Sequence, residues 1–121
     1  MKQKLEICNL KDRSEEKMRK ETDIQAAICE YLKIKGYFFT RINTTPIFDQ
    51  KSRRYRALPK YTMPGFPDIL ILKEGLAISC EVKSEKGVQS ANQKEFQKRF
   101  ELAGGAYFVA RSVGDVQEQG L

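Results

Sequence analysis

The sequence predicts an α/β (α+β) domain with the order α-β-β-β-α-β, its mixed central sheet flanked by helices. Three observations carry this. A helical apolar spacing begins at Ile24, two aliphatic strands surround Glu74-Gly75, and a capped helix from Ser90 leads into a short apolar strand. At 121 residues the chain fits one domain and leaves no room for a second independent core.

Residues 1–20 read as an N-terminal arm or a short extra helix, and 21–121 as the single domain. Ile24, Ile28, Tyr31 and Leu32 recur at i, i+4, i+7 and i+8, one apolar face of a helix. Thr22-x-x-Gln25 has the form of a capping box and Gly36 is a natural stop; a start near Ser14, running through Glu21, is the other reading. Tyr37–Ile42, aromatic and β-branched, is a strand. A basic loop, 44–66, follows; it has no sustained period, carries three prolines and has room for a short hairpin. Asp68–Lys73 and Leu76–Lys83 form a hairpin around Glu74-Gly75. Ser90-x-x-Gln93 is a second capping box, opening a helix with Phe96, Phe100 and Ala103 on one face and Gly104-Gly105 at its end. Ala106–Ala110 is a buried strand, and a weak last helix starts at Val113.

Composition excludes several chemistries. No run approaches the roughly 20 apolar residues of a membrane helix, and the first residues have charges but no apolar core of a signal peptide. A cytoplasmic protein is expected. Cys8, Cys29 and Cys80 form no CxxC pair, which leaves neither a disulfide framework nor a zinc site. Histidine is absent, so catalytic triads and a histidine base are excluded. Any chemistry must use carboxylates, lysine, tyrosine or a hard metal ion.

The net charge of +6 is unevenly spread. Residues 33–62 hold eight Lys/Arg against Asp49 alone, whereas 63–82 are net negative. Lys51, Arg53, Arg54, Arg56 and Lys60 interleave with Tyr55 and Tyr61, a pattern suited to a phosphate backbone and to base stacking. A solvated loop is the plainer reading of the same residues.

Asp68 opens an apolar strand, while Glu81 and Lys83 close the next. Side chains alternate along a strand, so Glu81 and Lys83 share a face with Val82 opposite. Hairpin pairing brings Asp68 beside them. Two close carboxylates repel unless a cation sits between them, and oxygen donors without His or Cys favour Mg²⁺ or Mn²⁺. The rival reading is a surface ion pair at a solvated strand end.

Pro67-Asp68 followed by Glu81-Val82-Lys83 resembles the PD-(D/E)xK nuclease signature. The wider pattern resembles the VRR-NUC family, virus-type replication-repair nuclease modules, in its stand-alone form. It includes Glu21–Gln25, Arg41-Ile42-Asn43, Gly65–Ile69, Ser90–Gln93 and Leu102–Gly105, and it spans about residues 21–117. The resemblance implies a restriction-endonuclease-like αβββαβ core. It also implies that Asp68, Glu81, the Val82 backbone carbonyl and Glu21 hold Mg²⁺ (or Mn²⁺). Lys83 would orient or deprotonate the attacking water, and Gln93 would lie near the site. Glu30, on a solvated flank, is a weak substitute for Glu21; Gln25 reads as a cap, Gly65 as a turn and Phe66 as packing.

By that resemblance the chain is expected to be a metal-dependent, structure-selective DNA endonuclease. It would cut four-way (Holliday) junctions in DNA repair as a homodimer, in a bacterial or phage-infected cytoplasm. Arg41 joins the loop cations 51–60 as an expected DNA contact. The alternatives are a flap or other branched-DNA nuclease, or a module that binds branched DNA without cutting it.

Overall fold

The computed structural model describes residues 13–42, 48–55 and 58–121. The first twelve residues, Asn43, Pro46 and Arg56 lie outside that set. Helix α1 (Arg13–Lys35) leads into β1 (Phe38–Arg41), then a two-stranded hairpin, β2 (Phe48–Asp49) and β3 (Arg54–Tyr55). Strands β4 (Ile69–Lys73) and β5 (Leu76–Val82), helix α2 (Ala91–Leu102), strand β6 (Ala106–Ala110) and helix α3 (Val113–Glu118) complete the chain. The main sheet has the order β1-β4-β5-β6, antiparallel except for β5 and β6, which run parallel across the α2 crossover. This is the mixed, helix-flanked sheet expected, with the β2–β3 hairpin standing in the basic loop as a sheet of its own.

Of the two starts the sequence allows, the one near Ser14 holds and the one at Thr22 does not. The helix runs unbroken from Arg13 through Thr22 to Lys35, so Thr22 is no N-cap and the boundary drawn at residue 20 falls inside α1. The physical reason is propensity: Glu15, Glu16, Lys17, Met18, Arg19 and Lys20 all favour helix, and nothing there breaks it. Ile28 and Leu32 are fully buried, with Ile24 and Tyr31 packed beside them, as the apolar spacing requires. Gly36 ends the helix at φ +78, a left-handed conformation that glycine adopts without Cβ strain.

The β4–β5 turn has positive φ at both Glu74 and Gly75, the two-residue geometry whose twist matches paired strands. It sets the register Ile69↔Cys80, which carries Asp68 alongside Glu81. Ile69, Ile71, Ile78, Cys80, Val82 and Ala110 form the core under α1. Phe96 of α2 packs on the other face with Phe66 and Phe100, ring centroids 4.7 and 5.4 Å away. Phe66 is therefore packing. Ala103, expected on this buried face, is the exposed C-cap of α2, because the helix ends one residue earlier. No helix among the described residues is long and apolar enough to cross a membrane.

Candidate active site

The ends of β4 and β5 and the N-terminus of α2 meet at one corner of the sheet. Asp68 leads into β4, and its Oδ2 accepts a hydrogen bond from the Val82 amide at 2.8 Å. Glu81, the sixth residue of β5, is 2% exposed. Its Oε1 accepts from Gln93 Nε2 at 2.8 Å and lies 3.7 Å from Lys83 Nζ. Lys83 shares the Glu81 face, as strand alternation demands, with only 14% of its side chain exposed.

Gln93 does two things at once. Its Oε1 accepts from the Ser90 amide at 2.8 Å and Ser90 Oγ accepts from the Gln93 amide at 3.2 Å, closing the capping box of α2. Its Nε2 is thereby aimed at Glu81. Gly65, at φ +77, lets the loop before Asp68 press against this helix start, where a Cβ would meet the Asn92 carbonyl and the Gln93 nitrogen.

The other Glu81 oxygen, Oε2, is buried and has no hydrogen-bond partner. Burial, and next the charge of Asp68, push the Glu81 carboxyl up to about 8, with Lys83 opposing. A buried carboxylate oxygen with nothing to bond is costly unless a proton or cation joins it. The donors at the gap are oxygens, so a hard divalent ion fits: Asp68 and Glu81 would hold it.

Glu21 enters from α1. Its Oε1 accepts from the Ser84 amide at 3.2 Å, and with Asp68, Val82, Thr22 and Gln25 it lines a cleft of about 210 Å³. Among the described residues no three acidic or thiol side chains group tightly enough to cage an ion. Glu21 and Asp68 line this cleft together, and Glu81 is not among its lining residues. Gln25 is not a cap but the next residue on the Glu21 face, at i+4, lining the same cleft. Glu30 is exposed and stays out of this cleft.

The expected DNA contacts do not converge with these residues. Lys51, Arg53 and Arg54 are exposed on the β2–β3 hairpin, and Lys60 is exposed with its Nζ 5.1 Å from the Tyr61 ring centre. Arg41 does lie close, pairing with Ile69 across β1–β4, while the Ile42 amide donates to the Asp68 carbonyl at 2.8 Å.

One residue had no signal in the sequence. Arg111, just past β6, donates through Nη1 to the carbonyls of Ser84, Glu85 and Gly87, the last at 2.8 Å. It pins the loop whose Ser84 amide holds Glu21. Gly87 closes the same packing, where a Cβ would stand 3.1 Å from Glu21 Oε1 and 3.2 Å from Ser84 Oγ. Arg111→Ala is expected to cost roughly 1–2 kcal/mol, lowering the melting temperature by roughly 4–8 °C. Amide exchange at Ser84 and Gly87 should quicken; unchanged exchange there would show that the loop holds itself.

Neither the protein-family models nor the curated proteins contain a match to this sequence. Among solved structures, a chain described as "VRR_NUC domain" aligns with a TM-score of 0.58 and 24% identity, over 82% of this chain and 91% of that one. The chain therefore shares the fold of that VRR_NUC domain, a four-stranded mixed sheet flanked by helices, in agreement with the fold expected from the resemblance read at Pro67-Asp68 and Glu81-Val82-Lys83.

Proposed function

We propose that this protein is a Mg²⁺- or Mn²⁺-dependent endonuclease that hydrolyses phosphodiester bonds in branched DNA, first of all at four-way junctions, as a homodimer. The observation that carries the reading is the buried Glu81 carboxylate, one oxygen unpartnered, set against Asp68 and flanked by Lys83 on a nuclease fold.

A divalent ion held by Asp68 and Glu81, with Val82 and Glu21 at its edge, would neutralise charge on the phosphate and acidify water there. The residues themselves are pre-organised. Gln93 and the Val82 amide fix the two carboxylates before any substrate arrives, so no reorganisation is needed at the moment of reaction. Lys83, a sheltered ammonium 3.7 Å from Glu81, can orient the attacking water, take its proton when deprotonated, or offset charge at phosphorus. A four-way junction offers two equivalent strands across a two-fold axis, which a symmetric dimer with one site per chain would match.

The test is cleavage of end-labelled four-way junction, 5′-flap and linear duplex with Mg²⁺, Mn²⁺ or EDTA. Paired, metal-dependent nicks in the junction are expected, with a dimer in sedimentation. Equal cutting of flaps or duplex would discard the junction assignment and keep the nuclease. Tight binding without cleavage under either metal would make the chain a branched-DNA-binding module.

The cations of the basic loop give a separate expectation. If Lys51, Arg53, Arg54, Arg56 and Lys60 neutralise about four phosphates, log K falls against log[salt] with a slope of roughly −4. Alanine at Arg53, Arg54 and Arg56 should flatten it by roughly 2–3. An unchanged slope would mean the DNA is gripped elsewhere.

A further inference from the structure

A second cleft, of about 310 Å³, lies between the flank of α1 and β1. Thr22 and Gln25 line both clefts, so the two adjoin at these residues. Phe39, half-buried, lies against the core at the wall formed by β1, and Arg41 and Lys33 supply the cations; Glu30 is the single carboxylate in the lining. No salt bridge among the described residues engages Arg41 or Lys33. Arg41 is cross-strand neighbour to Ile69, the residue after Asp68. Its Cα therefore lies roughly 5 Å from that of Ile69.

We infer that this cleft seats one unpaired nucleotide beside the scissile phosphate, its base against Phe39 and its phosphates on Arg41 and Lys33. The inference rests on the nuclease reading, which puts the scissile phosphate at Asp68 and Glu81. The chemistry selects the ligand. Two cations outside any salt bridge of the described residues call for an anion, an aromatic face calls for a flat apolar group, and the Gln25 amide offers hydrogen bonds to a base edge. A nucleotide combines all three. The volume lies at the small end of ligand sites, enough for one nucleotide and not for a base pair. In a duplex each base is stacked and paired, so only a base that is free or easily unstacked can reach an aromatic wall. Selectivity for branched DNA then comes from the unpaired nucleotide at the branch rather than from the number of arms.

The experiment places 2-aminopurine at successive positions flanking the cut in a branched substrate and follows its fluorescence on binding, in EDTA so that nothing is cleaved. One flanking position is expected to be quenched by the parent protein. Phe39→Leu, which keeps apolar volume, should lose that quenching. Arg41→Ala, at an exposed position, should bind about fivefold or more weakly, and should favour unpaired over fully paired branches less than the parent does. Parent-like quenching in Phe39→Leu together with parent-like affinity in Arg41→Ala would overturn the cleft assignment and leave the nuclease reading standing. Failure of the parent protein to bind DNA at all would overturn both.

Discussion

Glu81→Gln is expected to abolish cleavage while raising the melting temperature of the metal-free protein at pH 8. The two effects have one origin. The folded protein holds a proton on Glu81 up to about pH 8, against an ordinary value of 4.5, because the carboxyl is buried and Asp68 is beside it. Folding therefore takes up a proton between those values. The stability this lends is complete below about 4.5 and is lost as pH rises through 8. In EDTA the parent should melt several degrees lower at pH 8 than at pH 5, whereas the glutamine variant should be nearly flat over the Glu81 titration. Added Mg²⁺ should restore the parent at pH 8 and not the variant, since binding to the folded state alone raises stability. Loss of cleavage should reach roughly 10³-fold or more, because a cation site supplies several kcal/mol at the phosphate and each 1.4 kcal/mol is tenfold. A parent whose melting is indifferent to pH would mean that Glu81 is not a poised, unpartnered acid.

Lys83→Ala should lower turnover by about 10²–10⁴-fold and leave DNA affinity within a few-fold of the parent. Its ammonium is sheltered and directed to Glu81, not spread over the surface where it would serve as a general phosphate grip. A parallel loss of binding and turnover would make Lys83 a DNA anchor instead. Lys83→Arg should not rescue, because a guanidinium keeps its proton and presents a wide planar fork where a compact ammonium fits.

The legible part of this molecule was the part written in short-range pattern. Alternation along Leu76–Lys83 put Glu81 and Lys83 on one face, and Glu74-Gly75 set the register that brought Asp68 to them. Ser90-x-x-Gln93 marked the start of α2. That one glutamine could both cap a helix and hold Glu81 follows from its two ends, but only the tertiary approach of β5 to α2 shows it. Thr22 misled because a capping pattern states where a helix can start, whereas the helix formers upstream carried it back to Arg13. The same error hid Gln25, which reads as a cap only if Thr22 is one. Arg111 was invisible for another reason. Its partners are main-chain carbonyls more than twenty residues away, and a backbone acceptor leaves no mark in a sequence. Phe39 reads as an ordinary strand residue, and Arg41 only as one more DNA-contacting cation, because the cleft they share exists only once α1 packs beside β1.

The claim on which the rest depends is that Asp68 and Glu81 hold a divalent ion that cleavage requires. Titration of Mn²⁺ into the protein, read by loss of the free-ion signal in electron paramagnetic resonance, tests it alongside Asp68→Asn. The expected result is saturable Mn²⁺ binding by the parent, lost in Asp68→Asn, with junction cleavage disappearing in the same variant and in EDTA. Cleavage that survives EDTA, or persists in an Asp68→Asn protein that binds no Mn²⁺, would contradict it.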